Sequence, residues 1–165
     1  MRLFIALNFP QRALDYLQRA QKSLDEVALE GRMVTREKLH LTLAFLGELS
    51  LHDTPLLIEI LKEIKGGPFT LSLEQLGTFN RGLWWVGVKE NLPLKAYREA
   101  LCARLTEGGF HLDRHPFRPH ITIARRVTVN AKPTFDEVCT FSTNQVTLME
   151  SDFKNYREVF SKELR

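Results

Sequence analysis

His40-Leu41-Thr42-Leu43-Ala44-Phe45-Leu46-Gly47 and His120-Ile121-Thr122-Ile123-Ala124-Arg125-Arg126 open alike, as His, apolar, Thr, apolar, Ala. Each is a short apolar run headed by a histidine, and the second follows Pro119, so both read as strands. Side chains two apart on a strand point the same way. His40 therefore shares a face with Thr42, and His120 with Thr122, while Leu41, Leu43, Ile121 and Ile123 enter the core. The strand-helix context recurs 80 residues on (120 − 40), which predicts two similar lobes facing each other across a groove.

Outward from these stretches the chain alternates between periods. Leu3 to Phe9 is a continuous apolar run closed by Pro10, a strand buried on both faces. A helix is expected next, with Leu14, Leu17, Leu24 and Ala28 on one stripe and Gly31 as its stop. After the His40 strand, Asp53 or Thr54 caps a helix with Pro55 in its first turn, and Gly66-Gly67 ends it. Phe69, Leu71 and Leu73 alternate with polar residues and pair with Leu83 to Val88 across Asn80-Arg81-Gly82. A third helix runs from about Pro93 to Glu107, with Leu94, Tyr97, Leu101 and Leu105 inward. His120 to Val127 is a strand, and Gln145 to Glu150 pairs with Tyr156 to Phe160 in a last hairpin. The fold class is α+β: two similar lobes of mainly antiparallel sheet, outer helices and a central groove, in a single bilobal domain over residues 1–165.

Bulk properties narrow the setting. The 165 residues are 44% hydrophobic and 26% charged, as in an ordinary globular protein with room for a core. No apolar run reaches the roughly 20 residues that cross a bilayer, and the opening residues do not read as a secretory signal. Two cysteines without metal spacing, Cys102 and Cys139, fit buried side chains in a reducing cytoplasm. The net charge of +3 decides little, but Arg114, Arg118, Arg125 and Arg126 fall within 13 residues around His120. Such a cluster favours an anionic ligand, with a solvated basic rim as the plain alternative for Arg114 and Arg118.

Imidazole and hydroxyl on one strand face form a unit: the hydroxyl bonds a phosphate oxygen while the ring handles a proton. Opening a cyclic phosphodiester needs water deprotonated on one side and the leaving alkoxide protonated on the other. Two histidines, with ordinary pKa values of ~6.5, supply both roles near neutrality without a metal. One His-x-Thr alone would more often be a buried histidine bonded to a carbonyl. Two of them in matching strands favour function.

At these residues the sequence resembles the two-histidine (2H) phosphoesterases, specifically the RNA 2',3'-cyclic phosphodiesterases, also called 2'-5' RNA ligases. The resemblance runs over nearly the whole chain. It takes in the opening strand, both histidine motifs, Gly77-Thr78-Phe79 leading to Leu83 through Val88, and the closing Leu148-Met149-Glu150-Ser151. It implies His40 and His120 as catalytic, Thr42, Thr122 and Arg125 as phosphate contacts, and Phe45 and Phe79 against the terminal base. It implies hydrolysis of an RNA 2',3'-cyclic phosphate to a 2'-phosphate, reversible toward a 2'-5' linkage. His40 is assigned as the acid for the 3' oxygen and His120 as the base for water, an order the near-equivalent strands leave interchangeable. The expected partner is RNA ending in a cyclic phosphate, tRNA fragments among the candidates. No cofactor, metal or membrane is expected, and the chain is expected to act as a cytoplasmic monomer. Strict alternation, however, puts Arg126 on the His120 face and turns Phe45 away from His40. A bulge would bring Arg125 and Phe45 back, with Arg126 in reserve.

Other readings stay in view. His111, Asp113 and His115 precede the second motif, but match no common zinc spacing and read as surface residues. His52 reads as solvent-facing at a helix start. Trp84 and Trp85 point to opposite sides of one strand, so one is core and the other is placed for edge packing or stacking on a base. Two further functions are a non-catalytic RNA- or nucleotide-binding module, and a phosphodiesterase for small cyclic nucleotides or 2'-5' oligoadenylates.

Overall fold

A computed structural model describes residues 1–113, 115–152 and 154–165. Arg114 of the basic cluster lies outside the described residues. The elements are β1 (Arg2–Leu7), α1 (Gln11–Asp25), β2 (Ala28–Met33), β3 (Leu41–Glu48), α2 (Thr54–Glu63), β4 (Phe69–Phe79), β5 (Leu83–Val88), α3 (Leu92–Glu107), β6 (His120–Val129), β7 (Cys139–Thr143), β8 (Gln145–Ser151) and β9 (Tyr156–Glu163). They build two antiparallel sheets, a four-stranded one in the order β3-β1-β8-β9 and a five-stranded one in the order β2-β6-β5-β4-β7. The α+β class and the two sheet lobes are those read from the sequence.

β1 is central in its sheet and buried from Leu3 to Leu7, which is why its sequence is apolar without alternation. In α3 the buried residues are Leu94, Tyr97, Leu101 and Leu105, the stripe its spacing predicts. Asn91 caps that helix by accepting a hydrogen bond from the Leu94 N–H at 2.9 Å. The expected cap of α2 is different: the Asp53 carboxylate accepts from the Ser50 N–H at 3.0 Å and so closes the preceding turn instead.

Two strands escape the periodic reading. Gly31 does not end α1, and Ala28 is not on its stripe; both belong to β2, an edge strand with an exposed Leu29 and no alternation to reveal it. Gly31 has φ +115°, and a Cβ there would come within 2.5 Å of Val127 Cγ2, so glycine lets β2 run close against β6. β7 is the other missed strand, five residues on the far edge of the same sheet.

The helices cross between halves. α1 leaves β1 and packs on β6 and β7 of the other sheet, whereas α3 packs on α2 and reaches β3. Lys162 on β9 secures α2 from the end, donating to the carbonyls of Leu61, Lys62 and Ile64 at 3.0, 3.0 and 2.7 Å. Burial of that ammonium pushes its pKa down, with Lys65 adding in the same direction. Lys162→Met should leave three carbonyls short of a donor and lower the unfolding free energy by about 1–3 kcal/mol, measured as a lower urea midpoint. An unchanged midpoint would mean water serves those carbonyls equally well. Among the described residues no helix is long and apolar enough to cross a membrane.

Candidate active site

β3 and β6, from different sheets, approach each other, and both line one groove of about 800 Å³. His40, Thr42 and Phe45 enter it from one side, and His120, Thr122 and Arg125 from the other. The two histidines are held in the same manner. Nδ1 of His40 donates to the Lys38 carbonyl at 2.7 Å, and Nδ1 of His120 donates to the Arg118 carbonyl at 2.6 Å. A carbonyl only accepts, so each Nδ1 carries hydrogen and each Nε2 is the atom left for proton transfer. Nε2 of His40 lies 2.7 Å from the Thr42 hydroxyl.

Aromatic rings fix both imidazoles from outside the motifs. Phe4 and Tyr156 flank His40 at 4.9 and 5.6 Å between ring centroids. Phe79 stands edge-on to His120 at 5.3 Å, with Trp85 at 6.2 Å. Burial pushes the pKa of His40 below its ordinary value. The bond to the Lys38 carbonyl opposes that shift, and the charge of Arg125 adds to it. Among the described residues, six cations line the groove, Arg2, Arg32, Lys38, Arg98, Arg118 and Arg125, against Asp113 as the one carboxylate. Such a surface attracts an anion.

The conflict over alternation is resolved by a bulge in each strand. Along β3, Thr42 pairs with Ala6 and Ala44 with Ile5, so Leu43 is skipped. Along β6, Thr122 pairs with Trp85 and Ala124 with Trp84, so Ile123 is skipped. One extra residue reverses the alternation beyond it. Leu43 and Ala44 are both buried, as are Ile123 and Ala124, and the next side chains, Phe45 and Arg125, turn back to the groove. Arg126, in a left-handed conformation with φ 57°, is not among the groove residues. Phe45 is 47% exposed, with the Arg2 guanidinium over its ring at 5.6 Å. Phe79 does not line the groove wall itself; it reaches the site through the His120 ring.

The remaining candidates separate. His115 sits 3.4 Å from Asp113 on the groove rim, both well exposed, while His111 lies on the outer side beside Phe110. Among the described residues no group of three metal-ligating side chains comes together. His52 is exposed. Trp84 donates its indole N–H to the Val127 carbonyl at 3.2 Å, and Trp85 is the member that faces His120. Sequence reasoning missed Tyr156, Phe4 and Arg98. Phe4 is indistinguishable from core in an unbroken apolar run, and the other two come from elements with no motif of their own.

A fold of two facing antiparallel sheets, each giving a His-x-Thr to one basic groove, defines the two-histidine phosphoesterase class. The chain belongs to the 2'-5' RNA ligase superfamily, whose model matches residues 9–154. It is 36% identical over 129 residues to an RNA 2',3'-cyclic phosphodiesterase of Geobacillus stearothermophilus, covering 74% of this chain but 41% of that relative's length. An RNA 2',3'-cyclic phosphodiesterase of Escherichia coli (strain K12) is 31% identical over 164 residues, covering 94% of this chain and 90% of the relative. The crystal structure of E. coli LigT complexed with 3'-AMP superposes with a TM-score of 0.84 at 27% identity, over 99% of this chain and 97% of that one.

Proposed function

We propose that this chain is an RNA 2',3'-cyclic phosphodiesterase that uses His40 and His120 as a metal-independent acid and base. Two imidazoles held alike, each with Nε2 left for proton transfer on one basic groove, carry this reading. Relatives named for this activity support it. Nε2 of His120 takes a proton from water as the water oxygen attacks phosphorus. The bond from phosphorus to the 3' oxygen breaks, and His40 gives that oxygen its proton, leaving a 2'-phosphate and a free 3' hydroxyl. Thr42, Thr122 and Arg125 hold the non-bridging oxygens, where negative charge builds. Phe45 contacts the terminal base from within the groove, and Phe79, exposed beside the His120 ring, contacts it from the groove's edge. The same ring opening with a 5' hydroxyl in place of water joins two ends: the 5' oxygen attacks phosphorus as His120 takes its proton, the bond to the 3' oxygen breaks as His40 protonates that oxygen, and a 2'-5' linkage remains. RNA fragments, such as those from tRNA, are the proposed substrates, and the protein acts as a cytoplasmic monomer.

The test is an oligonucleotide ending in a 2',3'-cyclic phosphate, incubated with the protein in excess EDTA and analysed for the position of the new monoester. Conversion to the 2'-phosphate at an undiminished rate is expected. Loss of turnover in EDTA would point to a metal, and binding without turnover to an RNA-binding module. A faster reaction with a cyclic mononucleotide than with the oligonucleotide would move the substrate class to small cyclic nucleotides.

A further inference from the structure

Leu43 is skipped by the β1–β3 ladder, as is Leu46 further on, and Ile123 by the β5–β6 ladder; Leu43 and Ile123 occupy equivalent positions in the two motifs. Each carbonyl is met by a side chain from the helix behind its strand. Arg98 of α3 donates through Nε to the Leu43 carbonyl at 3.2 Å. Gln21 of α1 donates through Nε2 to the Ile123 carbonyl at 2.9 Å, beside the Val34 N–H that donates to the same carbonyl at 2.8 Å, and to the carbonyl of Val34, just past β2, at 2.7 Å. Gln21 is 7% exposed on a helix face otherwise made of Ala13, Tyr16, Leu17, Ala20 and Leu24. A buried amide there is costly unless bonded, and its bonds go to the bulge and to the residue that follows β2 beside it.

The swapped packing of the helices makes the match possible: the first helix supports the second motif and the third helix supports the first. A strand that slipped by one residue would exchange Arg125 for Arg126, and would turn Phe45 out of the groove. We propose that Gln21 and Arg98 are paired positioning residues that hold the two bulges and thereby aim Arg125 and Phe45 into the groove. The kinetic consequence rests on the phosphodiesterase reading; the structural one does not.

The variants are Gln21→Met and Arg98→Met, each alone and combined with Arg125→Ala and Phe45→Ala respectively, with Arg98→Lys as the conservative control. Gln21→Met should lower kcat/KM about tenfold, within the range of coupling between contacting residues, and should add less than about twofold to Arg125→Ala. Arg98→Met should act mainly on KM, add little to Phe45→Ala, and be partly rescued by Arg98→Lys. Amide hydrogen exchange of the full chain without substrate should quicken across residues 121–127 in Gln21→Met. Multiplicative losses in the combined variants would place Arg98 or Gln21 on the substrate or in a merely structural role, and would overturn the proposal. So would unchanged exchange together with unchanged kinetics. If Gln21→Met does not fold, Arg98→Met and its combination with Phe45→Ala decide. If the wild-type chain turns over no cyclic phosphate, the functional reading fails and hydrogen exchange still judges the bulges.

Discussion

His40→Ala and His120→Ala are each expected to lower kcat on a cyclic-phosphate-ended oligonucleotide by about 10²–10⁴-fold, the usual worth of a positioned acid or base. Hydrolysis needs a proton removed on one side of phosphorus and delivered on the other, so each ring is required even when its partner is intact. The double variant should fall little below the worse single one, because the two groups serve one displacement. The fold should survive. Each histidine is tethered through Nδ1 to a carbonyl two residues earlier, and its strand packs inward through Leu41 and Leu43 or Ile121 and Ile123. Loss of one half-buried ring costs on the order of 1 kcal/mol. Single-turnover rates and thermal melts measure both quantities, and full activity in either variant would end the acid–base pairing.

The roles are separated by pH. His40 has its pKa lowered by burial first and by Arg125 second, against the opposing Lys38 carbonyl. An acid works in its protonated form, which is lost as pH rises through the pKa. With His40 as the acid, kcat/KM of the residual reaction in His120→Ala, where His40 is the one histidine of the pair left to titrate, should fall with rising pH in a limb below 6.5. Bound phosphate favours the imidazolium, so the same limb in kcat should lie at higher pH. A rise in kcat/KM across that range, in place of the fall, would hand His40 the role of base.

How far the fold and site are legible in sequence depends on whether a residue obeys a period. Where one face is buried, as in α3, the stripe of Leu94, Tyr97, Leu101 and Leu105 is written in the spacing. The doubled His-x-Thr is legible for the same reason, since its polar residues stand two apart. β2 is illegible because it lies at a sheet edge with little buried, and Gly31 within it imitates a helix stop. Tyr156 and Arg98 reach the groove from a hairpin and a helix whose neighbours in sequence serve the core. Alternation fails at Leu43 and Ile123 because a bulge depends on what the carbonyl meets in space, Arg98 in one lobe and Gln21 together with the Val34 N–H in the other.

That failure has a measurable consequence in two adjacent arginines. Arg125→Ala should lower kcat/KM by about 10²-fold, the loss typical of one donor to developing charge. Arg126→Ala should stay within about twofold. Composition and spacing treat the pair as equals, and strict alternation from His120 prefers Arg126. The skipped Ile123 reverses that order: Arg125 lines the groove and its charge reaches His40, while Arg126 lies outside the groove at φ 57°. Arg125→Ala should also move the His40 limb of kcat/KM to higher pH, since one of the two influences lowering that pKa is gone. Arg126→Gly is a further contrast, because glycine adopts positive φ without strain, and the variant should be as stable as the parent or slightly more so. Rates for the alanine pair, with the pH profile of Arg125→Ala, decide between registers. A heavy loss at Arg126 with little at Arg125 would mean that β6 keeps unbroken alternation in solution, and the groove would then present a different cation to the phosphate.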